Sequence, residues 1–179
     1  MSDQESPSVP AGMSLATVWE TVADTVPDAP ALAHGDLVRT WSELEERSAR
    51  IAAHLDAAGV GHDAKVACYL YNGPEDLEAT FAAFKVRAVP INVNYRYLEA
   101  ELQYLLDNAD AEAVVFDAEF VERLDHVRPS LPGVRVWLCV GSDAEHPLPE
   151  WAEDYEASIA AAEPMPRVDR SGDDLWFLY

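Results

Sequence analysis

Three short runs of the sequence are apolar at almost every position, namely residues 65–71 (KVACYLY), 111–116 (AEAVVF) and 134–140 (VRVWLCV). A strand with one face in water alternates apolar and polar residues, whereas a strand covered on both faces is apolar throughout. Segments with helical periodicity separate these runs, as they do in βαβ units. The sequence therefore predicts an α/β fold, with a mainly parallel sheet flanked by helices.

The amino-terminal part predicts a tail, a helix and a hairpin. Residues 1–12 are polar and acidic and are predicted to be a disordered tail, whereas residues 13–179 are predicted to form the α/β domain. Ser14 is the predicted cap of a first helix. The turn Gly35–Asp36 between two apolar runs predicts a β-hairpin. The predicted core-facing residues of the first helix are Leu15, Val18, Trp19, Val22 and Val26.

The next two helices have recognisable start signals. Ser42 with Glu45 three residues later reads as a capping box, and Gly59 as a left-handed stop. The acidic residues at 43, 45 and 46 are predicted to face solvent. Pro74 is predicted to open a helix after the strand KVACYLY. Its predicted apolar side consists of Leu77, Phe81, Phe84 and Val86.

Beyond residue 140 the pattern weakens. Residues 151–162 predict a helix, residues 164–172 a linker, and Asp174 the start of a final apolar strand.

The motifs of several enzyme classes are missing. The sequence has no G-x-S-x-G elbow and no G-x-x-x-x-G-K-[ST] loop. The match to G-x-G-x-x-A at 59–64 follows a helix and precedes a strand, the reverse of a dinucleotide-binding turn, so it predicts a helix end. The histidines lack the spacing of metal ligands, and no metal site is expected. Cys68 and Cys139 lie inside apolar runs and are predicted to be buried thiols.

Charge narrows the choice of partners. The chain has 12 basic and 33 acidic residues, a formal net charge of −21, which disfavours nucleic acid and anionic lipid. It also disfavours polyanions such as ATP or CoA unless a few basic residues are focused at one spot. No apolar run is long enough to span a bilayer, and the first residues do not resemble a signal peptide, so a cytoplasmic protein is expected.

One loop stands out from this background. Residues 92–97 (NVNYRY) form a polar and aromatic segment after a predicted buried strand, near the carboxyl end where ligands of parallel sheets bind. Arg96 is suited to bidentate binding of a phosphate or carboxylate. A structural salt bridge to Glu99 or Glu101 is the alternative, and the residues alone leave both open.

The stretch from Thr40 to Asp117 resembles the N-terminal part of the adenylate-forming superfamily, which includes acyl-CoA synthetases, luciferases and the adenylation domains of peptide synthetases. The resemblance is carried by TWSELEERSARIAAHLDAAGV and by KVACYLYNGPEDLEATFAAFKVRAVPINVNYRYLEAELQYLLDNADAEAVVFD. The pieces SLATVWETVADTVPDAPAL and DDLWFLY also fit. The NVNYRY version resembles bacterial synthetases that act on fatty or steroid-type acids.

The resemblance implies a full-length ligase that uses ATP, Mg²⁺ and CoA to convert a carboxylic acid to an acyl-adenylate and then to an acyl-CoA. This chain would be its N-terminal fragment, truncated before the phosphate loop, inactive alone, with no tightly bound ligand and with the catalytic residues beyond residue 179. Arg96 matches an arginine that contacts the phosphates of CoA in relatives. Exposed apolar surface on such a fragment predicts self-association. The alternatives are a stand-alone binding or oligomerisation module and a fragment of an aryl-CoA ligase or adenylation domain.

Overall fold

The computed structural model describes residues 14–174, so the predicted tail and all but the first residue of the predicted final strand lie outside it. Helix α1 (Leu15–Thr25) begins after Ser14, whose hydroxyl accepts a hydrogen bond from the Thr17 amide, as predicted. Strands β1 (Pro30–His34) and β2 (Leu37–Thr40) form the predicted antiparallel hairpin. Gly35 in its turn has φ 58°, a conformation that glycine adopts without steric cost.

Helix α2 (Trp41–Ala57) starts earlier than predicted. Its cap is Thr40, whose hydroxyl accepts a hydrogen bond from the Glu43 amide while the Glu43 carboxylate accepts one from the Thr40 amide at 2.8 Å. The prediction of Ser42 with Glu45 was wrong because the sequence holds two overlapping matches to the capping box, and strand β2 delivers Thr40 in the extended conformation that a cap requires. Gly59, with φ 78°, follows the helix as predicted.

The main sheet has five parallel strands in the order β4-β3-β5-β6-β7, which confirms the predicted α/β fold. Between the strands lie helices α3, α4 and α5, and a last helix, α6, follows the sheet. The bounds are β3 (Lys65–Tyr69), α3 (Pro74–Lys85), β4 (Val89–Asn92), α4 (Glu99–Asn108), β5 (Ala111–Asp117), α5 (Val121–Val127), β6 (Val136–Val140), β7 (Glu153–Asp154) and α6 (Tyr155–Ala161).

Two apolar clusters cover the two faces of the sheet. One packs α2, α3 and α6 against inward residues such as Val66 and Val115, and the other packs α4 and α5 against Tyr69 and Phe116. The predicted continuous strands are thus buried on both faces. The predicted helix over 151–162 begins only at Tyr155, because residues 153–154 add to the sheet as β7.

Helices α1 and α3 bury much of the faces that apolar periodicity predicted, and they bury charged residues as well. Phe81 and Val86 are buried as predicted, whereas Val18, Val26 and Leu77 are exposed. The charged residues Glu20 and Lys85 are also buried. The reason is that charged side chains from α1, α2 and α3 pair with one another at the edge of the sheet where the strands begin. Hydrophobic periodicity assigns such residues to solvent.

The amino-edge charge cluster consists of Glu20, Glu45, Lys85 and Arg170. The Lys85 ammonium lies 2.7 Å from a Glu20 oxygen and 2.6 Å from a Glu45 oxygen. Arg170 donates to Glu20 at 2.8 Å and to the Lys85 carbonyl at 3.2 Å. The prediction that Glu45 faces solvent was therefore wrong, because a buried lysine binds it.

The segment 163–174, which contains the predicted linker 164–172, is a strap bound back onto the helices. The Met165 amide donates to the Ala49 carbonyl at 2.9 Å. Arg167 donates two hydrogen bonds to Asp24, and Arg87 donates to Asp174 at 2.7 Å. The strap thus fastens α1 and the start of β4 to the body of the fold.

Candidate functional site

The strand order places a switch point at β3. The chain passes from β3 to β4 on one side and then crosses to β5 on the other side. In open parallel sheets, ligands bind at such a point, outside the carboxyl ends of the strands. Here those ends are followed by Tyr71 and Asn72 after β3, the loop 94–97 after β4, and Glu119 after β5. We call the loop 94–97 the carboxyl-edge loop.

A cavity of about 330 Å³ lies beside this loop. Its polar lining comes from Asn72, Asn92, Asn94, Tyr95 and Tyr97. Carboxamides both donate and accept hydrogen bonds, so this lining is suited to an uncharged polar group. Arg96 lies between Tyr95 and Tyr97 in the sequence, but it does not line the cavity itself.

The carboxyl-edge loop is a tight turn built by its asparagine. The Asn94 side-chain oxygen accepts a hydrogen bond from the Arg96 amide at 3.0 Å, and the Asn94 carbonyl accepts one from the Tyr97 amide at 2.9 Å. Asparagine favours this arrangement because its side chain can bond to its own backbone two residues later. The turn gives Arg96 a defined position on a loop that has no helix or strand of its own.

Arg123, from α5, ties the loop to the sheet, and sequence reasoning did not single it out. Its Nη1 donates to the Tyr69 hydroxyl at 2.8 Å, the Tyr95 carbonyl at 2.9 Å and the Tyr97 carbonyl at 3.2 Å. The Tyr69 hydroxyl in turn donates to the Tyr97 carbonyl at 2.8 Å. Burial raises the pKa of Tyr69, and the hydrogen bond to Tyr69 raises the pKa of Arg123. At neutral pH, Tyr69 is therefore a neutral phenol and Arg123 carries its positive charge.

Aromatic rings form the outer wall beside the loop. The Tyr71 ring centroid lies 5.0 Å from that of Tyr95 and 5.2 Å from that of Phe120. The Tyr71 hydroxyl donates to a Glu119 carboxylate oxygen at 3.0 Å, and this hydrogen bond raises the pKa of Tyr71. Tyr71 and Tyr95 both remain partly exposed, so the wall presents aromatic surface to solvent.

Arg96 differs from most other cations in the molecule. In the part of the chain that the structure describes, every basic side chain except Lys65, Arg96 and Arg123 forms an ion pair with a carboxylate. Lys65 donates to a backbone carbonyl. The Arg96 guanidinium is exposed, and its carbon lies 5.3 Å from the Tyr95 ring centroid.

The alternative predicted for Arg96, a salt bridge to Glu99 or Glu101, does not form among residues 14–174. The Glu101 carboxylate accepts a hydrogen bond from the Leu98 amide instead, at 3.3 Å. This leaves the guanidinium donors of Arg96 directed to solvent, where an anion can reach them.

The start of α3, which also lies at this edge, carries its own carboxylates. Glu75 and Asp76 occupy its first turn, as predicted for capping, and burial raises the pKa of Asp76. Acidic side chains already satisfy the positive end of the helix dipole there. The helix end is therefore a poor site for a phosphate, and the loop beside it is the better candidate.

The cysteines and the glycine-rich segment 59–64 lie where the sequence predicted them. Cys68 and Cys139 are buried free thiols, as predicted, and burial raises the pKa of Cys68 to about 12. Residues 59–64 join α2 to β3, as the rejection of a dinucleotide motif requires. No group of three or more potential metal ligands occurs within residues 14–174. None of the helices described is both long enough and apolar enough to cross a membrane.

Known proteins resemble this chain in sequence and in fold. A family model described as AMP-binding enzyme matches residues 19–179. The chain is similar to a 3-oxocholest-4-en-26-oate–CoA ligase of Rhodococcus rhodochrous, with 39% identity over 170 residues that cover 93% of this chain and 30% of that protein. It is also similar to a medium-chain acyl-CoA ligase of Mycobacterium avium, with 36% identity over 181 residues that cover 93% of this chain and 33% of that protein.

The solved structures agree in fold. The crystal structure of an anthranilate CoA ligase in complex with anthranoyl-AMP superposes with a TM-score of 0.85 at 17% identity, and the match covers 93% of this chain and 32% of that chain. At this identity the likeness shows the fold alone. The chain spans about a third of the length of the relatives it matches, 30% and 33% in the two ligases above.

Proposed function

The chain belongs to the AMP-binding enzyme family, and we propose that it forms the amino-terminal part of an ATP-dependent ligase that joins a fatty or steroid-type carboxylic acid to CoA. The acid class follows the activities of the two relatives at 36% and 39% identity. The resemblance of NVNYRY to synthetases of this kind points the same way. The two buried thiols fit a reducing compartment, and we place the enzyme in the cytoplasm.

The proposed reaction has two steps. In the first step, a carboxylate oxygen of the acid attacks the α-phosphorus of ATP. The bond from the α-phosphorus to the oxygen that bridges it to the β-phosphate breaks. Pyrophosphate departs, and an acyl-adenylate remains. The CoA sulfur then attacks the acyl carbon, the acyl–phosphate bond breaks, and AMP carries away the electron pair. Such steps depend on positioning and charge stabilisation.

The carboxyl-edge loop supplies a contact for CoA in this proposal. The observation that carries it is the exposed guanidinium of Arg96, which has no carboxylate partner within residues 14–174 of a chain with net charge −21. Two oxygens of a CoA phosphate can accept parallel hydrogen bonds from the planar guanidinium, and these charge-assisted bonds are strong. In so acidic a protein, a cation reserved for an anionic substrate is needed to offset the general repulsion.

Mg²⁺ enters only as a requirement of the whole enzyme. The described residues offer no cluster of ligands for it, so we assign no residue of this chain to the metal. We also propose that this chain alone does not complete the reaction or bind ATP or CoA tightly, because it spans about a third of the length of its relatives. Assay of the 179-residue chain beside the complete gene product, with ATP, CoA and a fatty acid, tests this directly.

The substitution Arg96→Ala in the complete ligase tests the site. Loss of a charge-assisted contact is expected to raise KM for CoA by about 10-fold. The rate of acyl-adenylate formation should be unchanged, because Arg96 acts only in the second step. This rate is measured by ATP–pyrophosphate exchange in the absence of CoA. Arg128→Ala is the matched control, since Arg128 already pairs with Asp125 and lies over Trp151. An unchanged KM for CoA in Arg96→Ala would remove this residue from the site.

A further inference from the structure

Arg123 holds the backbone on both sides of Arg96. We infer that Arg123 is a positioning residue, which fixes the carboxyl-edge loop so that the Arg96 guanidinium faces the incoming anion. The inference rests on the proposed role of Arg96 in CoA binding. Nothing in the resemblance assigned Arg123 a role.

The first argument is geometric. Tyr95 and Tyr97 are the neighbours of Arg96 in the chain. Arg123 Nη1 donates to the carbonyls of both, at 2.9 and 3.2 Å. The Arg96 amide itself donates to Asn94 at 3.0 Å. The peptide units around Arg96 are therefore held from two directions, by the turn on one side and by Arg123 on the other.

The second argument concerns the support behind Arg123. Its Nη1 also donates to the hydroxyl of Tyr69, a side chain at 0% exposure on strand β3. The guanidinium carbon lies 5.4 Å from the centroid of the Phe120 ring. A loop without regular structure is thereby tied to β3, an inner strand of the sheet. A rigid support of this kind lowers the entropy that binding would otherwise cost.

Arg123 is also not held by an ion pair elsewhere. Through Nη1 it donates to a phenol and two carbonyls, and among residues 14–174 it forms no ion pair with a carboxylate. Its guanidinium is therefore committed to the loop and to the sheet. A lysine can reproduce the charge, but its ammonium is more strongly hydrated and sits on a more flexible side chain.

The test compares Arg123→Gln, Arg123→Lys and Tyr69→Phe in the complete ligase. Arg123→Gln is expected to raise KM for CoA about 5- to 10-fold, the effect of losing about one hydrogen bond. Tyr69→Phe removes one link and keeps the ring, so about a 2-fold change is expected. Arg123→Lys should fall between the parent and Arg123→Gln. Adenylate formation and KM for ATP should not change, whereas general misfolding would lower both. Arg128→Gln is the control of equal charge change.

A second readout uses the 179-residue chain itself. Amide hydrogen exchange at Arg96 and Tyr97 should accelerate in Arg123→Gln, while exchange at Leu102 and Leu106, in the core part of α4, stays slow. Unchanged exchange at both loop amides would overturn the positioning role.

The variants of Arg96 and Arg123 together distinguish failure of the positioning inference from failure of the proposed CoA site. If Arg96→Ala raises KM for CoA but Arg123→Gln leaves it unchanged, the positioning inference is overturned and the proposed site stands. If Arg96→Ala itself leaves KM for CoA unchanged, the proposed site fails and the inference fails with it. The inference is supported if both single variants raise KM for CoA and the double variant raises it no further than Arg96→Ala alone. Arg123 then acts through Arg96.

Discussion

The two edges of the sheet use cations in opposite ways. At the amino edge, Lys85 and Arg170 are buried and surrounded by the carboxylates of Glu20 and Glu45. At the carboxyl edge, Arg96 is exposed with no carboxylate partner in the described part of the chain, and Arg123 binds only neutral oxygens. The first arrangement stabilises the fold, and the second leaves charge available.

This difference shows how a site can be recognised in a strongly acidic protein. With 33 acidic residues against 12 basic ones, a cation finds a carboxylate unless the fold keeps it from one. Unpaired cations that lie together at the ligand-binding edge of a parallel sheet are therefore more informative than any acidic cluster.

The largest expected effect lies at the amino edge. Lys85→Met leaves the carboxylates of Glu20 and Glu45 without the ammonium between them, and we expect a loss of about 3 kcal/mol in the free energy of unfolding. Urea unfolding measures this. Lys65→Met is the matched control, because Lys65 is only partly buried and forms no ion pair with a described residue, and its effect should stay within about 0.5 kcal/mol. Equal effects of the two substitutions would contradict the stabilising role assigned to the buried ion pairs of Lys85.

A smaller effect is expected where the strap is tied down. The hydrogen bond from Arg87 lowers the pKa of Asp174 below its ordinary value of 3.8. A carboxyl whose folded pKa is lowered stabilises the protein above its unfolded pKa, and this stability is lost as the pH falls through the folded pKa. Asp174→Asn should therefore cost about 1 kcal/mol at pH 7, and this cost should shrink below the unfolded pKa and vanish below the folded pKa.

The measurement is urea unfolding between pH 7 and pH 2, with Asp173→Asn as the control. Asp173 is exposed and forms no ion pair among the residues that the structure describes. A difference between parent and Asp174→Asn that persists unchanged below pH 3 would contradict the assigned pair.

The weakest effect concerns the carboxyl edge and association. Tyr71, Tyr95, Leu98 and Tyr104 expose between 37% and 71% of their surfaces, and we expect weak self-association of the chain through such apolar surface. Because a net charge of −21 opposes association, added salt should strengthen it by screening. Light scattering at high protein concentration, with and without about 0.5 M salt, gives the answer, and a monomer under both conditions would contradict the prediction. Tyr104→Glu, the most exposed position, should weaken any association seen.

The sheet could be predicted from the sequence because its strands are apolar on both faces, a local property of each run. The buried charges of α1 and α3 could not, because they depend on pairs between distant residues. Lys85 lies 65 positions from Glu20 and 40 from Glu45, and no local window contains both partners. For the same reason Glu45 was wrongly assigned to solvent.

Only part of the candidate site could be predicted from the sequence. Arg96 could be singled out because it follows a strand at the edge where ligands bind, in a segment rich in asparagine and tyrosine. Arg123 could not, because its acceptors are two backbone carbonyls and a phenol, and no acidic residue in the sequence marks them. The signal that remained was an arginine on a short helix directly after strand β5, at the same edge.

The amino-edge charge cluster also bears on synthesis of the protein. Glu20 and Arg170 are 150 positions apart, and Asp24 and Arg167 are 143 apart. Helix α1 leaves the ribosome before the strap, and at 5–20 residues per second the 150 positions from Glu20 to Arg170 take about 7 to 30 seconds to synthesise. During this interval Glu20 lacks its bond from Arg170, and a chaperone has time to bind the exposed side of α1. A helix made early is therefore locked in place only when a much later segment arrives.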